Sequence, residues 1–268
     1  MDAEHPALRL EPSVATLRLR ANLTIGALAL TMLVRGWDFA TRMWSLGLIE
    51  QVPDTGEGAG PELMASLETA DKLVEVGTVA IPLSFVLTAI AFLLWTHRLV
   101  ALTRDLGAIL IWRPAQAVWG FIIPFVSFVR PYQVLSAVHA ALEPEKVTPP
   151  MPRVDPSAQV DYRSVAFVEP SRARHLPAAL IGVWWGAFLL MSLGARLLGV
   201  GAKGAETVDA VVSMYHQAMF VSFVAVVAAA LATTVVRGLT ARLEERFRRI
   251  RWSSPEELAA QRISLDRE

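Results

Sequence analysis

Two tryptophans and two arginines frame a short apolar stretch, and these residue types suit contact with a phosphate or a lipid headgroup. The stretch runs from Trp112 to Tyr132 and reads WRPAQAVWGFIIPFVSFVRPY. An arginine guanidinium can bind phosphate oxygens through two parallel hydrogen bonds. The candidate ligand- or lipid-binding residues are Arg98, Trp112, Arg113, Trp119, Pro124, Arg130 and Tyr132. The simpler interpretation, which we favour, is that these side chains anchor the segment at a membrane–water interface.

A second set of ionisable residues falls near the outer ends of three predicted spans, where it could form an outer polar cluster. Its members are Arg35, Asp38, Glu75 and His216. Arg35 and Asp38 are three residues apart, so they share a helix face and can pair. The centres of the second and fourth spans contain no acid or base, so a continuous proton relay is not expected. We interpret the set as a structural pair at a helix end, with a shallow outer pocket as the alternative.

Several kinds of chemistry have no support in the sequence. The chain has no cysteine, which excludes disulfides and thiolate ligands. His97 and His216 are predicted at opposite ends of the bundle, so they cannot share one haem iron, and we expect neither a metal nor another cofactor. No phosphate-binding glycine loop, zinc-protease helix or nucleophile elbow occurs. The net charge is zero, which gives no bias toward nucleic acid. The expectation is therefore a protein that is not an enzyme.

The elements that position these residues are predicted to be membrane-spanning helices. Apolar residues make up 54% of the chain and charged residues 19%, below the ~25% of soluble domains. Four runs are long enough to cross a bilayer, at about 23–46, 76–95, 178–198 and 210–236. The first run leads into Arg35 and Asp38 rather than a small-residue cleavage site, so we expect a retained helix.

A fifth apolar run is too short to cross. Residues 117–129 fall below the ~18 to 20 that a spanning helix needs, and Pro124 interrupts them. The sequence predicts that the second helix extends to about Leu106 and turns at Gly107. The short run then breaks near Pro124 and resumes at Pro131, a favoured first helical position. The fold class is thus an all-α integral membrane protein with four transmembrane helices and a proline-broken re-entrant or interfacial hairpin between helices two and three.

Charge asymmetry predicts the orientation of the helices. The connection between the first two runs is acidic, whereas the other long flanks are rich in arginine. Positive flanks stay in the cytoplasm, so both termini, the hairpin and the long central connection are expected there. The predicted regions are a cytoplasmic N-terminal segment at 1–22, two transmembrane helices at 23–106 with an acidic external loop at 47–72, the hairpin at 107–142, a Pro-rich cytoplasmic loop at 143–177, two transmembrane helices at 178–236 and an amphipathic cytoplasmic tail at 237–268.

Two further patterns concern helix packing. Leu239, Leu243, Phe247 and Ile250 form one stripe, which predicts that helix four continues beyond the membrane, with Glu244–Arg248 and Glu245–Arg249 ion pairs. Gly182 and Gly186 form a small-xxx-small pattern that permits close helix approach. We interpret this pattern as packing within the chain's own bundle, with a homo-oligomer contact as the alternative.

The segment from Leu94 to Leu142 resembles an uncharacterised bacterial membrane family known as domain of unknown function 4328. The matching residues are Leu94-Trp95, His97-Arg98, Leu106-Gly107-Ala108, Pro114, Ala117-Val118-Trp119-Gly120, Ile123-Pro124 and Arg130-Pro131-Tyr132-Gln133. The resemblance implies the four-helix layout and a bacterial inner-membrane location. It implies no reaction.

The expected role is that of a non-enzymatic accessory or scaffold subunit. Its partners would be membrane lipids and a protein bound through the cytoplasmic surfaces. The alternative is a small transporter, or a binder of lipids or lipophilic ligands, gated by the cytoplasmic hairpin.

Overall fold

The computed structural model describes residues 6–52, 60–142, 176–201 and 207–252, and helices are the regular secondary structure within them. Four of the helices are long and apolar enough to cross a membrane, which confirms the all-α class and the number of predicted spans. The helices are α1 (Pro6–Ile49), α2 (Pro61–Asp105), α3 (Pro114–Ile122), α4 (Arg130–Ala141), α5 (Ala178–Gly201) and α6 (Val208–Trp252), with a 3-10 turn at Val126–Phe128.

The long helices pack in the order α2, α1, α6, α5. The helix α1 contacts α2 along one side and α6 along the other, and α5 packs on α6. The short helices close one end of this row, where α3 contacts α2 and α4 contacts α5. We call residues 107–142 the α3–α4 segment and this end of the bundle the α3–α4 end. The opposite end, where α1 ends and α2 begins, is the loop end.

Two helices begin earlier than the sequence predicts, and a third extends as predicted. Residues 61–72 lie in α2 rather than in a loop, because Pro61 occupies a first-turn position and Glu62 complements the helix dipole. The helix α1 already begins at Pro6, and α6 continues to Trp252 as the apolar stripe predicts. The predicted Pro-rich loop lies, except for Leu176 and Pro177, outside the described residues.

The predicted stripe on the α6 extension is buried, but its ion pairs differ in part from the prediction. Leu239, Leu243 and Phe247 all lie in the core, whereas the side chain of Ile250 falls outside the described part. The Glu245–Arg249 pair forms at 3.3 Å. Glu244, however, pairs with Arg18 of α1 at 2.9 Å instead of Arg248, because α1 packs against this face of α6.

The breaks in the α3–α4 segment lie where proline and glycine predict them. The helix α2 ends at Asp105, and Gly107 turns the chain with a φ of 81°, a conformation that glycine adopts without steric cost. The helix α3 ends at Ile122, immediately before the Ile123-Pro124 turn. The helix α4 then begins at Arg130 with Pro131 in its first turn.

A buried polar contact crosses the bundle near the α3–α4 end. The Trp95 Nε1–H donates to Thr240 Oγ1 at 3.1 Å, and Arg20 Nη1 donates to the carbonyl of Leu94 at 3.0 Å. These bonds tie α2 to α6 and α1 to α2 at the same level. We call Arg20, Leu94, Trp95 and Thr240 the tryptophan layer.

A second polar contact joins the same three helices toward the loop end. The Asp38 carboxylate accepts a hydrogen bond from Ser222 of α6 at 2.7 Å, and it lies where a Cβ on Gly77 of α2 would approach within 3.5 Å. We call Asp38, Gly77 and Ser222 the aspartate layer. Along each helix the two layers are separated by about 27 Å at 1.5 Å rise per residue, close to the ~30 Å hydrocarbon core of a bilayer.

Threonines hold α1 to α2 between the two layers. Thr31 and Thr88 hydroxyls are 2.9 Å apart, Thr88 donates to the Ala27 carbonyl at 3.0 Å, and Thr24 donates to the Ala91 carbonyl at 3.0 Å. Apolar burial drives helix association weakly in lipid, so such interhelical hydrogen bonds contribute directly to it.

The closest approach of α5 to α6 occurs at a glycine that the sequence pattern did not single out. A Cβ on Gly194 would come within 2.9 Å of Val221 Cγ2, whereas a Cβ on Gly186 would have nothing within 4 Å in the described part of the chain. A Cβ on Gly182 would instead come within 3.5 Å of the Tyr132 ring on α4. Among these three glycines, Gly194 is therefore the one that packs closely on α6, two residues before the last described side chain of α5.

We predict that Gly194→Ala destabilises the fold and Gly186→Ala does not. Alanine improves helix propensity by about 0.5 to 1 kcal/mol at either site, but at Gly194 overpacking against Val221 costs about 1 to 3 kcal/mol. Thermal unfolding of both variants in detergent, followed by circular dichroism, measures the difference. Equal midpoints would show that α5 does not pack through Gly194.

Candidate functional site

The most buried charge in the described chain is the carboxylate of Asp38. Only 1% of its side chain is exposed, and it accepts a hydrogen bond from Arg42 Nε at 2.9 Å and one from Ser222 Oγ at 2.7 Å. A buried carboxylate is tolerated when a counter-charge and hydrogen bonds replace its water. Asp38 therefore fixes α1 against α6 through Ser222.

The Arg42 side chain extends this network toward Tyr215. Arg42 is only 13% exposed, and its guanidinium lies over the Tyr215 ring at 5.4 Å from the centroid. An arginine over an aromatic face is attracted by the ring quadrupole. The network thus contains one acid, one base, the Ser222 hydroxyl and an aromatic ring, with both carboxylate oxygens of Asp38 hydrogen-bonded.

The predicted outer cluster is only partly assembled. Asp38 is at its centre, Arg35 is half-buried nearby, and Glu75 and His216 are exposed. The ion pair of Asp38 forms with Arg42, four residues on, and not with Arg35 as we predicted. The reason is tertiary: Ser222 and Tyr215 on α6 lie on the Arg42 side of Asp38. Ser222, like the threonines between α1 and α2, could not be singled out in the sequence, because hydroxyl side chains are common in spanning helices.

At the other end, the structure brings Trp112 and Arg130 together. The Arg130 guanidinium lies 3.9 Å from the centroid of the Trp112 ring. The Arg130 side chain crosses directly over Gly120, where any Cβ would clash with its methylene groups. Arg130 therefore serves to close α4 onto α3, and its charged head is stacked on tryptophan.

The other predicted ligand-binding residues are spread over the surface. Trp119 is 56% exposed and Tyr132 42% exposed, while Arg113 and Pro124 are also exposed. The Arg113 backbone N–H donates to Gln116 Oε1 at 3.1 Å, which caps α3. Arg98 is half-buried on α2, and its Nε is buried without a hydrogen-bond partner among the described residues.

An aromatic cluster connects the α3–α4 segment to the long helices. Neighbouring ring centroids are 4.9 to 6.4 Å apart, the range in which aromatic pairs attract. Its members are Phe92, Trp95, Phe121, Trp184, Trp185 and Phe188. The sequence contains these residues on three separate elements, so their convergence could not be seen from spacing.

Two arginines of α6 bind carbonyl groups at the ends of other helices. Arg246 donates to the carbonyls of Ala141, at the end of α4, and Leu106, at the end of α2. Arg242 donates to the Leu176 carbonyl at 2.9 Å, and His139 Nε2 is 2.8 Å from the same oxygen. Cations are favoured at helix C-termini by the helix dipole. The extension of α6 thus ties together α2, α4 and the start of α5.

Two clefts in the described part of the chain do not reach Arg113 or Arg130. One of about 270 Å³ lies between the ends of α1 and α6, where Glu11, Arg18, Glu244 and Arg248 surround Val14 and Phe247. The other, of about 460 Å³, is an open groove along α2 beside Glu75. In the described residues no group of three or more histidines and acids could hold a metal.

Fold and site together define a helical protein with four helices of membrane-spanning length. Three of these helices, α1, α2 and α6, meet in a buried polar layer toward each end. The sequence profile of a family described as "Domain of unknown function (DUF4328)" matches residues 62–241. Because the match covers more than half of the 268 residues, the chain belongs to this family. No curated protein and no solved structure matches the chain.

The family match includes α2 to α5 and α6 as far as residue 241, but not α1. Gly77 and Ser222 lie inside the match, whereas Asp38, which binds Ser222, lies outside it. The helix α1 therefore contributes the charged member of the aspartate layer from beyond the matched region.

We predict that Asp38→Asn lowers the free energy of unfolding by about 3 kcal/mol, because Arg42 is left partly buried without its counter-charge. Thermal or denaturant unfolding in detergent measures the loss. Glu75→Gln is the matched control, since it removes one exposed acid from the neighbouring helix at the same end. The two variants behaving alike would contradict a stabilising role for the Asp38 network.

Proposed function

We propose that this chain is an integral membrane protein whose α3–α4 segment re-enters the bilayer from the side that holds both termini. The first supporting observation concerns the depth of α3 along the bundle axis. Phe121 of α3 packs against Phe92 of α2 with ring centroids 5.8 Å apart. Phe92 lies about one turn deeper than Trp95 in the direction of the loop end. If the tryptophan layer marks one edge of the hydrocarbon, the end of α3 lies inside it.

A second contact supports the same depth. The Trp185 Nε1–H donates to the Phe128 carbonyl at 2.7 Å. Trp185 lies about 10 Å along α5 from its first residue, Ala178, at 1.5 Å per residue. The preceding Leu176 is bound by Arg242, which follows the tryptophan layer on α6. The contact of Trp185 with Phe128 therefore supports a turn that lies past the hydrocarbon edge.

The backbone of the turn supports this placement, because in hydrocarbon each N–H and C=O needs a partner within the protein. The amide of Ile123 donates to the Trp119 carbonyl, that of Ser127 to the Ile123 carbonyl, and that of Val126 to the Pro124 carbonyl. The amides of Phe128 and Val129 are also paired within the turn. Pro124 removes one donor outright. A water-exposed loop would not require such pairing.

The side chains at the turn are apolar and exposed. Phe125 is 84% exposed, and Ile122, Ile123 and Val129 are each about half exposed. A surface of this kind costs free energy in water but none in lipid. Lipid contact accounts for the exposure without a further partner.

For orientation, we propose cytoplasmic termini and a bacterial inner membrane. The support is the distribution of positive charge: the described residues beyond the tryptophan layer include Arg98, Arg104, Arg246, Arg248 and Arg249, whereas residues 61–75 of α2 carry four acids and one lysine. Positive flanks are retained in the cytoplasm.

Single cysteines test the depth of the turn cleanly, because the chain has none of its own. We predict that Phe125→Cys reacts slowly with a water-soluble maleimide in membranes, although Phe125 is 84% exposed in the protein. Asp105→Cys, exposed at the end of α2, should react fast from the cytoplasmic side only, and Lys72→Cys from the opposite side only. Equal rates for positions 125 and 105 would place the turn in water.

The biochemical role that we propose is that of a non-enzymatic accessory or scaffold subunit. The observation that carries it is the exposure of Ile109 (90%) and Ile111 (84%) in the connection between α2 and α3. These side chains lie beyond the tryptophan layer, where lipid tails do not cover them. Exposed large apolar residues outside the hydrocarbon are typical of a protein interaction site. The guanidinium of Arg130 is stacked on Trp112. No comparable observation in the described residues favours the gated-transporter alternative.

We predict that a protein partner is retained at constant stoichiometry when the wild-type chain is extracted in native lipid, and is lost from Ile109→Ser/Ile111→Ser. The control is Val76→Ser/Val79→Ser, which removes two exposed apolar side chains at the loop end of α2. Mass spectrometry of the intact complexes gives the stoichiometry. Retention of the partner by the isoleucine variant would contradict docking at this connection.

A further inference from the structure

The groove between α1 and α2 at the α3–α4 end contains two arginines, Arg20 and Arg98. Their positive charges are not neutralised by any described acid. Arg20 of α1 places Nη1 on the Leu94 carbonyl of α2 at 3.0 Å. In a continuous α-helix that carbonyl is also the acceptor for the backbone N–H of Arg98, and α2 is continuous from Pro61 to Asp105. The guanidinium of Arg20 therefore lies against the helical turn that carries Arg98.

Arg98 has an unsatisfied donor in this groove. Its Nε is shielded from solvent and has no hydrogen-bond partner among the described residues. No acid of the described chain pairs with either arginine: the neighbouring Glu244 is bound to Arg18 on the other side of α1. Two positive charges with a buried free donor favour a bound anion, and the described residues do not supply one.

The surface next to the arginines is apolar on the membrane side. Leu23 of α1 is 59% exposed and Leu94 of α2 is 50% exposed. Leu23 lies from both arginines toward the loop end, and Leu94 lies at the level of Arg20. Leu30 and Ile90 continue this exposed apolar surface toward the loop end. A ligand for the groove therefore combines a negative head with an apolar tail directed into the bilayer.

We infer that Arg20 and Arg98 bind the headgroup phosphate of an anionic phospholipid, whose acyl chain lies along Leu23 and Leu94. The guanidinium fork matches two phosphate oxygens. Both arginines lie at or just beyond the tryptophan layer, the level at which lipid phosphates border the hydrocarbon. A headgroup with net negative charge is preferred over a zwitterionic one, because no described acid pairs with either arginine or is placed to receive a headgroup cation. The inference rests on the proposed membrane location but not on the proposed partner or the depth of the turn.

The test measures phosphatidylglycerol binding to the full chain in detergent by native mass spectrometry, with phosphatidylcholine and inorganic phosphate as competitors. Arg98→Gln should weaken phosphatidylglycerol binding about tenfold, the effect of losing one charge-assisted hydrogen bond. Arg98 bonds no other described group, so its replacement should leave the unfolding midpoint unchanged. Arg98→Lys should recover part of the affinity, since it keeps the charge without the fork.

Arg104→Gln is the matched control, because Arg104 is an exposed arginine on the same helix, and it should leave the affinity within about twofold. Wild-type affinity in Arg98→Gln would overturn the site. Displacement of the lipid by inorganic phosphate at the same concentration would overturn the lipid assignment. Neither result would affect cysteine labelling at positions 72, 105 and 125, so failure of this inference is distinguishable from failure of the proposed membrane arrangement.

Discussion

A single constraint shapes this protein: polar groups that leave water must find partners inside the chain. In the hydrocarbon of a bilayer each unpaired backbone group costs several kcal/mol. The long helices meet this constraint internally. In the arrangement we propose, the irregular stretch Ile123–Val129 lies at membrane depth. Five of its amides are paired in short-range bonds, Pro124 has no amide, and the Trp185 indole binds the Phe128 carbonyl. Its side chains are apolar except that of Ser127, which suits contact with lipid.

The same constraint explains the two polar layers. Asp38 is buried only because Arg42 and Ser222 replace its water, and Trp95 is buried with its indole N–H bound to Thr240. Each layer joins the same three helices, so α1, α2 and α6 are fixed in register at two levels about 27 Å apart. The helix α5 and the α3–α4 segment are added to this frame through the aromatic cluster and the carbonyl contacts of Arg242 and Arg246.

Hydrophobic runs, prolines and one glycine were enough to predict the four spans, the turn at Gly107 and the break before Pro124, because these features are local. The choice of ion-pair and packing partners, in contrast, depended on residues distant in the sequence. The spacing in the sequence allowed Asp38 to pair with Arg35 or Arg42. The packing of α6 against α1 favoured Arg42. Glu244 pairs with Arg18 from a distant helix instead of its own neighbour. Gly194 could not be distinguished from Gly186 without Val221 beside it. The aromatic cluster likewise depends on three elements meeting.

The depth of a nitroxide at position 125 shows whether the turn of the α3–α4 segment lies inside the bilayer. Nitroxides at the exposed α2 positions 87, 90 and 94 provide reference depths along the membrane normal. The ratio of oxygen to nickel-complex collisions measures depth at each site. We expect the value at position 125 to fall among those of the three α2 sites. A value equal to that at position 105, beyond the tryptophan layer, would contradict it.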